Sequence, residues 1–155
     1  MMSVWATTAL LVCGLALAPL MLSASQALHQ QRDSGARGQA VLLAQDLAHR
    51  LHLNASAAAQ YQLAWGQVPA ALASACRERA CSRADWAQAD MSQWRAQLTQ
   101  TLPDGDAWLQ SAEDADACRW LVLAWSSDVV DEPPSSGWPV TCPPGKRCLA
   151  LVLSP

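Results

Sequence analysis

The chain has 155 residues, a formal net charge of −3, 52% apolar and 15% charged residues, 6 Cys, 8 Trp, one Tyr and no Phe. That length suits one ordinary domain, and the apolar share excludes a disordered acidic tail or a low-complexity chain. The 10 Lys and Arg are scattered without a basic stripe, which argues against nucleic acid as a partner, and no phosphate loop, zinc-protease helix or nucleophile elbow is present.

From Val4 to Ala24 no residue is charged. At about 1.5 Å per residue such a run spans roughly the 30 Å hydrocarbon layer, so a membrane-spanning helix is expected. Leu10, Leu11, Val12, Leu15, Leu17, Leu20 and Leu22 supply its apolar surface, with Pro19 as the place for a kink and Trp5 near one interface. A cleaved signal peptide is the rival, because Ser23, Ala24, Ser25 and Ala27 could form a cleavage site. The positive-inside rule, applied to Arg32, Arg37 and Arg50 beyond the run, would leave the rest of the chain in the cytoplasm. The short-spaced pairs Cys76/Cys81 and Cys142/Cys148 argue instead for an oxidising compartment, and the export reading follows them.

Ala36, Ala40, Leu43, Ala44, Leu47 and Leu51 recur at helical spacing, so the helix is expected to continue beyond the membrane as an amphipathic segment. Its packing face is Ala40, Leu43, Ala44, Leu47 and Leu51, and Gly35 and Gly38 mark residues 33–38 as the place for softening or a bend. Asn54 to Ala59 reads as a helix end and an Ala-rich connection. Ser82 precedes a helical patch with Trp86, and Asp90 with Gln93 predicts a capping box for a second helix, Met91 to Leu102, burying Trp94 and Leu98. Pro103-Asp104-Gly105-Asp106 is a turn in which Gly105 is expected to take positive φ.

Arg119 to Trp125 and Arg147 to Leu153 read as strands. Between them Pro133 to Gly137 and Pro143 to Gly145 are loops bracketing a short segment, Trp138 to Cys142. The expected fold is α+β: a long N-terminal helix, apolar in its first half and amphipathic in its second, packed on a small head of helix plus antiparallel sheet. Residues 1–25 form the membrane or filament-core helix and residues 26–155 the exported head.

Two blocks carry a likeness to a known family. One is Gly38-Gln39-Ala40-Val41-Leu42-Leu43-Ala44-Gln45-Asp46-Leu47-Ala48-His49-Arg50-Leu51, followed by Asn54. The other is Cys76-x4-Cys81 with the Ser-Arg-Ala-Asp after it, then Asp90-Met91-Ser92-Gln93-Trp94-Arg95-Ala96-Gln97-Leu98 and its exit at Leu102-Pro103-Asp104-Gly105. In these the chain resembles the PilV family of type IV pilus minor pilins, also called type IV pilus modification proteins, over most of residues 10–155. The resemblance implies a pilin-like fold and a non-enzymatic subunit that initiates, caps or modifies pilus assembly. It implies other minor and major pilins and an inner-membrane assembly platform as partners, with a prepilin peptidase if an upstream leader exists. It also implies a single pass in the inner membrane with the head in the periplasm before assembly, and a place in the pilus, at its tip or in its shaft, afterwards.

The chain departs from the family at the N-terminus, where a basic leader and a Gly-Phe-Thr-Leu-x-Glu-like site are missing and the first acidic residue is Asp33. A start assigned too far downstream, a degenerate gene, and a subunit at the filament tip each account for this. At a tip no neighbour would pair the buried carboxylate, which is costly alone. Two rival readings are a membrane-anchored or secreted periplasmic binding module and a minor pseudopilin of a type II secretion machine.

The cysteines are expected to pair as Cys76–Cys81 and Cys142–Cys148, each loop contributing around 2–3 kcal/mol in the chain-entropy model. Cys118 is then left over, as a thiol or as a replacement partner for the second pair, and a four-cysteine zinc site is the rival reading. Cys13 in the apolar run reads as a small hydrophobe. Asp46, His49 and His52, three apart on a helix, could approach one metal ion, but no second cluster completes a site and a solvated polar face is the reading adopted. His29 stands alone, and Asn54-Ala55-Ser56 fits a short glycosylation sequon. Trp65, Trp86, Trp94, Trp120 and Trp125 are expected in the core, since no Phe is available to fill it. The loops at 126–145 are candidate contacts. No residue is put forward as catalytic, cofactor-binding or metal-ligating.

Overall fold

The computed structural model describes the backbone of residues 2–70, 76, 80–112, 115–127 and 137–154, and the side chains of these apart from 2–26, 29, 112 and 115–117. In chain order they form helix α1 (Met2–Leu53), a 3₁₀ turn (Ala55–Gln60), helix α2 (Arg83–Thr101) and strands β1 (Asp106–Ala112), β2 (Ala115–Ser126) and β3 (Lys146–Leu153). The α+β expectation is met: α1 and α2 pack on one face of a three-stranded sheet ordered β1-β2-β3.

The amphipathic half of α1 is dictated by its repeat. Ala40, Leu43, Ala44, Leu47 and Leu51 lie on one stripe and are all buried. At residues 33–38, the place expected for softening or a bend, α1 runs through Gly35 and Gly38 as continuous helix. Asp33 in that turn is tied to Ser127 and Arg147, which holds the segment against the sheet. The helix ends at Asn54, whose Nδ2 donates to the Arg83 carbonyl at 2.9 Å. The Ala-rich connection is a 3₁₀ turn that delivers Tyr61 to the core.

For α2 the expected start is corrected. A single 19-residue helix begins at Ser82, which is the N-cap: its Oγ accepts from Asp85 N, and the Asp85 carboxylate accepts from Ser82 N at 3.0 Å. Asp90 and Gln93 sit mid-helix and reach across to the end of α1. Asp90 Oδ2 accepts from the Tyr61 hydroxyl at 2.7 Å, and Arg50 donates to Asp90 and Gln93. Both pairs carry a capping-box spacing, but the acid at position 90 is already held by tertiary partners. Trp94, fully buried, donates its indole N–H to the Leu43 carbonyl at 2.9 Å and locks α2 to α1.

The exit turn exchanges the expected roles of its residues. Asp104 takes the positive φ of 48°, whereas a Cβ on Gly105 would stand 2.9 Å from both the Leu98 carbonyl oxygen and Leu102 Cβ. Glycine is required at 105 by close approach and not by its dihedral.

Strand β1, unforeseen in the sequence, buries Ala107 and Leu109 at period two. It pairs antiparallel with β2, Leu109 opposite Leu121, and the expected second and third strands pair antiparallel with Leu121 opposite Leu151. Leu121, Leu123 and Trp125 of β2 and Leu153 of β3 face the helices. Leu63 adds a two-bond bridge to Leu109 on the outer side of β1. The segment Trp138 to Cys142 forms no strand.

Candidate functional site

The side of α1 that turns away from the head has a composition of its own. Leu28, Gln31, Gly35, Gly38, Leu42, Gln45, His49 and His52 follow one another at alternating steps of three and four, and all are exposed. This stripe lies opposite the buried Ala40, Ala44, Leu47 and Leu51 and holds no Asp, Glu, Lys or Arg. Leu28 and Leu42 keep 56% and 57% of their surface.

Gly35 and Gly38 each weaken a helix by about 1 kcal/mol relative to Ala. Nothing lies within 4 Å of a Cβ built at either position, and neither has positive φ. The head therefore imposes no need for them, while a second helix crossing there could bring its backbone close. The charged residues of this part of α1 lie off the stripe. Asp46 is bound by Arg50 at 2.8 Å, and Asp33 accepts from Ser127 Oγ at 2.8 Å and from the Arg147 guanidinium.

The Asp33 tether is electrostatically tuned. Burial by itself would raise this carboxyl's pKa, but hydrogen bonds from Arg147 and Ser127 and the charges of Arg147 and Arg37 outweigh it and hold the group below the ordinary carboxylate value. A depressed folded pKa contributes stability above the unfolded value, which is lost as pH falls through the folded one. Denaturation of the wild type is thus expected to show stability falling as the solution is acidified below about pH 4, the ordinary Asp range. Asp33→Asn should be less stable at neutral pH and show a shallower acid loss; an unchanged acid slope would refute the tether's role.

The structure assembles Cys76–Cys81 and Cys142–Cys148 as disulfides, with Cα separations of 5.4 and 6.0 Å, and leaves Cys118 as a half-buried free thiol. Of the tryptophans expected in the core, Trp94 and Trp125 are fully buried and Trp65 and Trp120 half-buried. Trp86 is corrected to a surface residue with 48% of its area exposed, because α2 turns the Arg83, Trp86, Asp90 side toward the end of α1 and away from the sheet.

Asp46, His49 and His52 do not converge: Asp46 is engaged by Arg50, and both histidines stand on the open stripe. Among the described residues no group of three or more His, Cys, Asp or Glu is placed to hold a metal ion. The side chains of Leu10, Leu11, Val12, Leu15, Leu17, Pro19, Leu20 and Leu22 lie outside the described residues, as do residues 128–136 of the candidate contact loops. Among the residues whose side chains are described, which begin at Ala27, no helix is long and apolar enough to cross a membrane.

Residues 24–92 match the family described as Tt1218-like, Type IV pilin Tt1218. The matched segment takes in the amphipathic half of α1, the 3₁₀ turn with Tyr61, and the first half of α2. No curated protein and no solved structure gives a significant match. The family match supports a type IV pilin and a pilus-related role, with other pilins as partners.

Proposed function

We propose, from the match of residues 24–92 to a type IV pilin family, that this chain is a minor pilin of the PilV kind. It acts without catalysis, initiating, capping or modifying pilus assembly. The uncharged outer stripe of α1, with two glycines that its own fold does not use, is the observation that carries this reading. One face of α1 closes the head's core, and the other is suited to neighbouring helices. The charge-free run Val4 to Ala24 extends the helix with a surface equally suited to lipid and to a bundle of similar helices. In this reading the subunit waits in the inner membrane as a single-pass protein, its head in the oxidising periplasm, and moves into the pilus on assembly. Its partners are other minor and major pilins and the assembly platform, with a prepilin peptidase acting where a leader precedes the helix.

The test is co-purification with sheared filaments. The wild type is expected in the filament fraction. Gly38→Leu should fold at least as stably, since it replaces a helix-weakening residue at an open site, yet be depleted from filaments by about tenfold or more. Absence of the wild type from filaments, with the protein left in membranes or medium, would sink the pilin reading and favour an anchored or secreted module.

A further inference from the structure

The three-stranded sheet has two edges, and the chain closes only one of them. On the outer side of β1, Leu63 N donates to the Leu109 carbonyl at 2.9 Å and Leu109 N donates to the Leu63 carbonyl at 2.8 Å. Leu109 therefore points its main-chain groups away from β2, and Leu121 opposite it points its own toward β3. The register carries the alternation one strand further: Leu149, Leu151 and Leu153 exchange bonds with β2, whereas Cys148, Ala150 and Val152 turn their N–H and C=O groups outward. Lys146, of the same parity, agrees, because its N–H goes to the Pro143 carbonyl at 3.2 Å and not to β2. Among the described residues no backbone group meets these outward donors and acceptors, which extend over about 13 Å of strand. Edge strands are ordinarily defended by a lysine, a proline, a bulge or a covering segment. Cys148 to Leu153 has no charge and no proline and pairs with β2 without a bulge. Lys146 and Arg147 at its start are drawn to Asp104 and Asp33.

We propose that β3 is a docking edge that takes an extended, uncharged segment of another polypeptide as a fourth strand. Outward donors and acceptors repeating at every second residue match the main chain of an extended segment, and main-chain bonds would supply the affinity. The edge offers no counter-charge, so a charged segment would be desolvated there without a partner. Leu149 and Leu151 pack only partly into the core, and Val152 on the opposite face keeps 52% of its surface. Apolar residues at alternate positions of the incoming strand would therefore cover Leu149 and Leu151. A second copy of this chain fits the edge less well. Strand β3 starts beside Asp33, at the end of the head nearest the run Val4 to Ala24, and leads away from it. A second copy could add its own β3 only by turning α1 end for end or onto the opposite face of the joined sheet. Either arrangement keeps the two helices from entering one membrane or bundle side by side. That choice of occupant rests on the pilin reading, whereas the open edge itself does not.

The experiment follows amide exchange by NMR on the full, isotope-labelled chain in detergent micelles. In the free protein the amides of Cys148, Ala150 and Val152 are expected to exchange about tenfold or more faster than those of Leu149 and Leu151. The probe is the end-blocked peptide Thr-Val-Thr-Val-Thr-Val-Thr, which should shift the β3 amides saturably and slow exchange at those three by about tenfold or more. A fully N-methylated copy of the peptide, lacking main-chain donors, should do neither. Ala150→Pro should keep the fold, because the N–H it removes lies outside the β2 ladder, and should lose the peptide. Val152→Lys places a charge at an exposed position on the edge and should weaken binding about tenfold or more, independently of any strain from the proline. Val68→Ala, at a residue 81% exposed and outside the strands, should bind as the wild type does. Circular dichroism checks each variant. Slow exchange at the three outward amides of the free monomer, no protection by the peptide, or binding untouched by N-methylation or by Val152→Lys would overturn the docking edge. Sedimentation showing a dimer protected at the same three amides would overturn the choice of a foreign segment, and absence of the chain from filaments while the peptide still binds would overturn the pilin reading alone.

Discussion

Replacing Trp94 with alanine is expected to be among the most damaging single changes in the head, lowering its unfolding free energy by about 3–5 kcal/mol. The side chain is fully buried between α1, α2 and the sheet, and its indole N–H reaches the carbonyl of Leu43 at 2.9 Å across 51 residues of sequence. Trp94→Ala removes a large volume at that junction and a cross-helix bond donated by its indole. Trp94→Phe keeps most of the apolar contact and loses the bond, so it should cost distinctly less. Urea denaturation of the full chain, followed by far-ultraviolet circular dichroism, makes the comparison. A loss under about 1 kcal/mol for Trp94→Ala would mean that α2 is not fastened to α1 through this residue.

A loss of similar size, about 3–5 kcal/mol, is expected for Arg95→Ala for a different reason. Arg95 is buried beside Trp94 on α2 and joins two separate segments to it, the turn into β1 and the loop at Gln67. Its guanidinium pairs with Asp106 at 2.8 Å at the start of β1, donates to the Gly105 carbonyl at 2.7 Å, and reaches the Gln67 carbonyl at 3.4 Å. Asp106 in turn accepts from the Gly66 backbone N–H at 2.9 Å, so the loop before α2 and the first strand share one charge pair. The two side chains keep 11% and 14% of their surface, and removal of the arginine alone leaves a carboxylate desolvated without its counter-charge. The double variant Arg95→Met with Asp106→Asn should therefore lose less than the two single changes summed. Additive losses in a double-mutant cycle would show that the pair is not coupled.

Much of the helical half was legible in the sequence because its signals are local. The repeat Ala40, Leu43, Ala44, Leu47, Leu51 marks the buried face, and the buried Trp94 and Leu98 follow the same rule in α2. The start of α2 was harder to read. Ser82/Asp85 and Asp90/Gln93 both carry cap-like spacing, and the choice depends on Tyr61 and Arg50, which come from elsewhere in the chain and occupy Asp90. Strand β1 is not legible in the sequence because Asp-Ala-Trp-Leu-Gln-Ser-Ala has no β-branched residue and follows a turn; only pairing with β2 makes its alternation meaningful. Residue type alone predicts Trp86 in the core, whereas its side of α2 faces the end of α1 and solvent.

By itself, the sequence determined the periodicities: a long helix with one apolar face, a second helix, two apolar strands and closely spaced cysteine pairs. These depend on neighbours within a few residues, so composition and spacing are enough to expose them. The tertiary structure decided what no local window contains. It set Asp104 rather than Gly105 in the left-handed region, gathered Arg95, Gly105, Asp106 and Gln67 into one knot, and tied Asp33 to a strand 114 residues away. It also showed that Gly35 and Gly38 face open space, so their place in a helix has no cause within the head. Such facts require knowing which distant atoms share a volume, because burial, charge pairing and close approach are properties of the packed chain and not of any stretch of it.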